Sequence, residues 1–280
     1  MDTFHIINFH SIFSENAFCL SKRLGIDIIA NFKPQEGHTY LVFGAHEQAL
    51  NLLSIQQTKK NFRLIILNSE PPLSQFMKNK YYISLMKTNI VFDYHEQSAK
   101  HLTELGIKVY SRFVFDFIYQ PGIDVKRDID IFFCGSRTPR REALYEKLKS
   151  RYPDKNIVFD FDWKYSNQED MTKILQRSKT VLNIPYHEHN ILETHRIHKA
   201  LACGCEVVSL YSGDEPTDKF YEPYIYLVHD LFEHFDLPNM PLHIKNQKLV
   251  YPHLVNALSN FIIHNKWIVD QLLGLECRAV

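Results

Sequence analysis

The chain has no excess of either charge, no long apolar run and no disulfide framework. Its 32 basic residues are balanced by 32 acidic ones, so no overall field selects nucleic acid or an anionic membrane surface. Any anion binding must come from local clusters. No apolar stretch approaches the ~20 residues that a bilayer span requires. The opening MDTFHIINFH lacks both the basic and the apolar region of a signal peptide. A first strand and a cytoplasmic location are the expectations.

Cysteine is scarce and odd in number, at five. Cys134 and Cys203 fall in apolar stretches, where a thiol behaves as a small hydrophobe. Cys203 and Cys205 form a CxC pair with no second pair at ligand spacing, so buried structural thiols in a reducing compartment are expected and no metal site. The 15 histidines are scattered, without an HExxH pairing. Neither the GxxxxGK[ST] phosphate loop nor GxGxxG is present. There is no internal repeat and no low-complexity tract.

What is present suits packed cores: of 280 residues, 45% are hydrophobic and 13% are aromatic. That length fits two α/β domains of about 120–140 residues each. Short apolar runs alternate with helical patterns. Strands are expected at 4–9, 26–32, 40–44, 63–67, 89–93 and 108–113, then at 130–134, 157–161, 180–184, 206–210 and 224–228. Helices are expected at 15–24, 47–56, 96–105, 139–151, 168–177 and 192–201, with a C-terminal pair within 251–275. Continuous apolar strands separated by helices predict parallel sheets covered on both faces. The Pro-Gly pair and charges of Tyr119–Arg127 mark a linker, giving domains 1–120 and 121–280.

In open α/β sheets, ligands sit beyond the carboxyl ends of the strands, so the residues that follow each strand carry the argument. The first motif is IDIFFCGSRTPRREALYEKL, residues 129–148. A strand runs into Gly135-Ser136-Arg137-Thr138, and Thr138 and Pro139 are a good N-cap and first residue for a helix. Loop amides, a hydroxyl and the positive helix end together bind phosphate. Arg137, Arg140 and Arg141 add fork-shaped cations suited to a diphosphate. A capped surface helix with solvated arginines is the structural alternative.

The second motif is VLNIPYHEHNILETHRIHKALACGCEVVSL, residues 181–210. A helix beginning near Ile191 would bring Glu193 and Arg196 onto one face, bury Ile197, Ala200 and Leu201, and stop at Gly204. Asn190 as N-cap with Glu193 three residues on is close to a capping box. An acidic residue at such a crossing equally suits the two hydroxyls of a ribose.

Together the two motifs resemble the C-terminal half of GT-B glycosyltransferases, especially short enzymes of bacteria and large DNA viruses and, more loosely, the exostosin-like group. IVFDYHEQSAKHLTELGI, residues 90–107, is similar to the end of their N-terminal domains. Lys199 stands where the exostosin-like form has Glu, and the spacing E-x7-E is absent.

The resemblance implies two Rossmann-like doubly wound domains facing a cleft: an acceptor-side domain 1–120 and a donor domain 121–280, with the last helix packing back on the first. It implies metal-independent transfer from a nucleoside diphosphate, UDP above others and a pentose such as xylose among the sugars, to a glycan hydroxyl. Glu193 would hold the ribose, and Arg137, Arg141 and Arg196 the diphosphate. Tyr186 would line the sugar pocket, with Asp162 and Trp163 near the base. The implied partners are a UDP-sugar and a glycan, with no nucleic acid.

Two rivals follow from the same residues. Asp160-Phe161-Asp162 is a DxD of the kind that holds metal and nucleotide in GT-A enzymes, whereas Asp128-Ile129-Asp130 lies at the wrong end of its strand. A non-catalytic nucleotide-binding protein is the other. Inverting transfer needs a base beside the acceptor hydroxyl. Strand-exit candidates are His10, Glu15, His46, Glu70 and Asp93, with Glu15 and Glu70 ranked level and His10 behind them.

Overall fold

The computed structural model describes residues 3–59, 61–111, 116–165, 167–186 and 191–232. The helices expected within 251–275, and the packing of the last one, lie outside these residues. The chain divides into two compact units, with the change between Asp116 and Phe117.

The first unit carries strands β1 (Thr3–Asn8), β2 (Asp27–Ile29), β3 (His38–Phe43), β4 (Arg63–Asn68), β5 (Ile90–Asp93) and β6 (Val109–Ser111). Its helices are α1 (Ser14–Leu24), α2 (Ala49–Thr58), α3 (Lys80–Lys87) and α4 (Glu96–Glu104). The strands form one parallel sheet in the order β2-β1-β3-β4-β5-β6. Val42, Leu64, Ile66 and Val91 on its strands pack against Leu52, Leu85 and Leu102 of the helices. Helices on a parallel sheet explain why these strands are apolar without alternation.

The second unit carries β7 (Ile129–Cys134), β8 (Ile157–Asp160), β9 (Ser178–Asn183), β10 (Glu206–Leu210) and β11 (Tyr226–Val228). Its helices are α5 (Pro139–Arg151), α6 (Gln168–Arg177), α7 (Thr194–Ala202) and α8 (Glu215–Tyr221), the last not anticipated from sequence. The parallel order is β11-β10-β9-β7-β8. In both units the chain crosses back over its first strand, so each sheet has one topological switch point: between β1 and β3, and between β7 and β9. Crevices at such points are where doubly wound folds take their ligands.

The segment read as a linker is bonded to the second unit. Gln120 N–H donates to the Ala202 carbonyl at 2.9 Å. Arg127 donates to the carbonyls of Pro121 (2.9 Å), Cys203 (3.0 Å) and Ser178. Gly204 has φ 72°, and a Cβ there would lie 2.9 Å from Pro121. The turn after α7 is thus a socket for residues 120–127. Cys203 and Cys205 line it as buried thiols, and burial pushes Cys205 up to about 11.

Candidate functional site

In the second unit, the switch point is filled by arginine. Thr138 caps α5 through its hydroxyl, which accepts from Arg141 N–H at 3.2 Å, with Pro139 in the first turn. That start turns the Arg141 side chain inward, where it is 2% exposed. Its guanidinium donates to the carbonyls of Ser136 (2.8 Å) and Ile184. Arg196 comes from α7 and donates to the Cys134 carbonyl (3.2 Å) and to the Asn183 side-chain oxygen (2.8 Å). Arg140 donates to the Pro185 carbonyl. Arg141 and Arg196 stack on the Phe133 ring, with guanidinium carbons 4.9 and 5.0 Å from its centroid.

Glu193 is the carboxylate that meets this cluster. It lies 3.2 Å from Arg141 and 2.5 Å from Arg196, and accepts the Tyr186 amide at 2.9 Å. Burial first, and the neighbouring Arg196 next, lower Arg141 to about 10, so it stays charged at neutral pH. Two guanidiniums on one carboxylate, with Arg140 on the neighbouring Pro185 carbonyl, leave a surplus of positive charge at the ends of β7 and β9. Gly135 is required there: a Cβ would lie 2.9 Å from Phe133 and 3.1 Å from both Arg141 and Arg196.

The capping-box reading of Glu193 is corrected. Helix α7 begins at Thr194, with Glu193 itself at the N-cap position and making no side-chain cap bond. Ile191 and Leu192 are fully buried; drawing them into the core delays the helix and frees the carboxylate for the arginines. Asn190 lies outside the described residues.

Arg137 stands apart from Arg141. It pairs with Glu142 (2.6 Å) and Asp162 (3.4 Å), and lies over the Phe161 ring at 4.8 Å. Next to Asp162, Trp163 is half exposed with φ 56°, a left-handed backbone that bulky residues seldom adopt. Thus Gly135, Arg141, Tyr186, Glu193 and Arg196 converge. Arg137, Asp162 and Trp163 form a second group beyond β8, and Ser136 lies exposed in the loop between.

The DxD reading does not survive the geometry. Asp160 is buried and accepts the amides of Asp162 (3.2 Å), Lys164 (3.1 Å) and Tyr165 (3.1 Å). Its carboxylate builds the loop that follows β8, while the Asp162 side chain faces Arg137. Among the described residues no group of three potential metal ligands converges.

In the first unit, the same end is built from histidine, carboxylate and amide. The loops after β1 and β3 touch: Gly44 has φ 66°, and a Cβ there would lie 2.8 Å from that of His10. This brings His10 and His46 to 6.0 Å between ring centroids. His46 Nδ1 lies 3.5 Å from a Glu70 carboxylate oxygen, a charge contact too long for a good hydrogen bond. The other Glu70 oxygen accepts the Ser74 hydroxyl at 2.6 Å.

Burial lowers His46 to about 4, opposed by Glu47 and aided by His10. Glu70 is raised, chiefly by burial, against the Ser74 bond. His10 Nδ1 accepts the Ile12 amide at 3.3 Å. A neutral His10 therefore carries its proton on Nε2 and presents a donor, not a base. Glu15 is buried in the first turn of α1.

Sequence reasoning missed Phe133 and Asn183. A polar residue closing an otherwise apolar strand was the available signal for Asn183. Nothing distinguished Phe133.

No protein-family profile and no curated protein sequence matches the chain. Solved structures do. HepE of Anabaena, determined in complex with UDP, matches with a TM-score of 0.54 at 9% identity over 98% of this chain and 100% of its own. TarM matches with a TM-score of 0.50 at 15% identity over 93% of this chain. The chain spans 58% of TarM's length. The fold is that of the GT-B class: two parallel-sheet α/β units of six and five strands.

Proposed function

We propose that the chain is a glycosyltransferase that moves a sugar from a nucleoside diphosphate, a UDP-sugar above others, to a hydroxyl of a glycan. The observation that carries this reading is the surplus of guanidinium charge around Glu193 at the β7–β9 switch point. It is a fixed cationic seat where a doubly wound unit takes its ligand. The UDP in the HepE structure supports a uridine donor.

On this reading the C1–oxygen bond of the donor breaks, and the electron pair leaves with the diphosphate. Arg196, the more accessible of the stacked pair, meets that charge directly. Arg141 and Arg140 act through their field, and the Gly135-Ser136 loop adds backbone donors. Glu193 exchanges arginine for ribose hydroxyls when the donor enters. Tyr186 borders the sugar, while Asp162 and Trp163, steadied by Arg137, take the base. The first unit takes the acceptor, and Glu70 receives the proton of the attacking hydroxyl. Burial raises its affinity for that proton, as general-base catalysis near neutral pH requires.

Positive charge at the leaving group is then built into the chain, and a divalent ion is not needed. The test is calorimetric titration with UDP in EDTA, followed by transfer assays across UDP-hexoses and UDP-pentoses such as UDP-xylose. UDP should bind without metal, and Arg196→Ala should weaken it about ten-fold or more, the usual cost of losing a charge-assisted bond. A folded protein that binds no UDP, or that binds and transfers only when Mn²⁺ or Mg²⁺ is supplied, would overturn the reading.

A further inference from the structure

The carboxyl end of β5 holds a carboxylic acid with no route to solvent and no place in the chemistry just described. Asp93 is completely buried. One oxygen accepts the His95 amide at 2.9 Å. The other accepts both the Asn68 side-chain amide at 2.7 Å and the Ser98 hydroxyl at 2.8 Å. The atom that faces Asn68 is therefore an acceptor, and Asn68 must answer with its NH2 group.

That requirement fixes the whole Asn68 amide, which is itself completely buried at the end of β4. Its nitrogen gives its second hydrogen bond to the Glu70 carbonyl at 3.1 Å. Its oxygen, turned away from Asp93, accepts the Glu70 amide at 3.2 Å and the Tyr82 hydroxyl at 2.8 Å. One side chain thus holds both main-chain polar groups of Glu70. Pro71 and Pro72 follow at once, so the chain beyond has little freedom to compensate. The Glu70 carboxylate then lies between Ser74 and His46.

We infer that Asp93 is a positioning residue for Glu70, acting by dictating which way the Asn68 amide points. Reversing that amide would set donor against donor at Glu70 N–H and acceptor against acceptor at its carbonyl, and would turn the Tyr82 hydroxyl from donor to acceptor. The loop would open, and Glu70 would gain water in place of its partly buried seat. The groups that face this pocket are Asn68 from β4, Ser98 and the His95 amide at the start of α4, and Tyr82 from α3. Glu70 and His46 lie beyond Asn68. The inference rests on Glu70 being the acceptor-side base.

The test reads the Glu70 carboxyl directly, by carbon-13 NMR of full-length protein labelled at glutamate. The resonance is assigned by its loss in Glu70→Gln. Asp93→Asn cannot offer acceptors to both Asn68 and the His95 amide, so it sets two donors against each other at one of them. It should lower the Glu70 titration midpoint toward the ordinary carboxylate value. Tyr82→Phe removes only the outer support of the same amide, and no charge near neutral pH. It should give a smaller shift in the same direction, and it decides the matter if Asp93→Asn does not fold.

Ser98→Ala removes a bond to Asp93 that does not touch Asn68 and leaves that oxygen an acceptor. It should cost stability while leaving the Glu70 midpoint in place. A midpoint unmoved in folded Asp93→Asn and Tyr82→Phe overturns the inference, as does an equal shift in Ser98→Ala. The catalytic reading fails separately, if Glu70→Gln transfers sugar from a UDP-sugar as well as the native protein.

Discussion

The two units use one strand order for opposite chemistries. Between β7 and β9 the ligand end presents Arg141 and Arg196 on the Glu193 carboxylate, with Arg140 on the Pro185 carbonyl beside them. Around β1, β3 and β4 it presents His10, His46 and Glu70. Helix N-termini surround both ends and offer each the same mild pull on anions. Side chains at the strand exits therefore decide what each unit takes, and the fold contributes only the place. Arginine makes a fixed cationic seat, because its charge does not leave at any physiological pH. A partly buried Glu beside a neutral His makes a proton acceptor whose strength depends on how much water reaches it.

The sharpest way to break this contrast is to remove the base. Glu70→Gln should lower turnover by roughly 10²–10⁴-fold, the usual contribution of general-base catalysis, while calorimetry shows UDP affinity unchanged. A parallel loss of UDP affinity would mean that the two ends do not divide the work.

Next in size is the behaviour of the cationic seat without its counter-charge. Glu193→Gln leaves the guanidiniums of Arg141 and Arg196 facing one another, with a neutral amide between them. The melting temperature of the free protein should fall by several degrees, and saturating UDP should restore much of the difference. A capping role for Glu193 predicts instead a deficit that UDP leaves untouched.

The smallest effect concerns Glu206 at the start of β10, a buried carboxyl raised to about 7 by burial against the pull of Arg127. The folded chain holds this proton up to about pH 7, whereas the unfolded chain releases it near its ordinary ~4.3. Its stabilising contribution is therefore complete below that lower value and is lost as pH rises through 7. Asp93, raised to about 7 by burial, acts in the same direction. Glu206→Gln should flatten, without abolishing, the fall in melting temperature between pH 5 and pH 8. An unchanged slope would show that Glu206 does not carry its part.

The strands were legible in the sequence because parallel strands buried on both faces read as apolar runs, and Pro139–Arg151 was legible because Thr138 and Pro139 announce its start. Helix α8 was not, since its seven residues are too few for a periodic signal. In the site, the residue types of the arginine cluster could be read, but not their depth. Whether Arg141 faces solvent or core depends on where α5 sits over β7, which no local pattern states. Glu193 was misplaced because Asn190 offers a plausible cap, and only the burial of Ile191 and Leu192 moves the helix start to Thr194. The Asn68 amide could not be foreseen, because its importance lies in the partners that tertiary packing brings to it.

The socket formed by Gly204 and Arg127 also bears on how such proteins can be recombined. Residues 120–127 look like spare connecting chain, the natural place to join one donor unit to another acceptor unit. Yet this stretch belongs to the second unit: Gln120 bonds Ala202, Arg127 holds three carbonyls, and Pro121 lies against a glycine that tolerates no side chain. A crossover inside it would pair a strap from one lineage with a socket from another. A workable junction falls ahead of Phe117, so that strap and socket are inherited together.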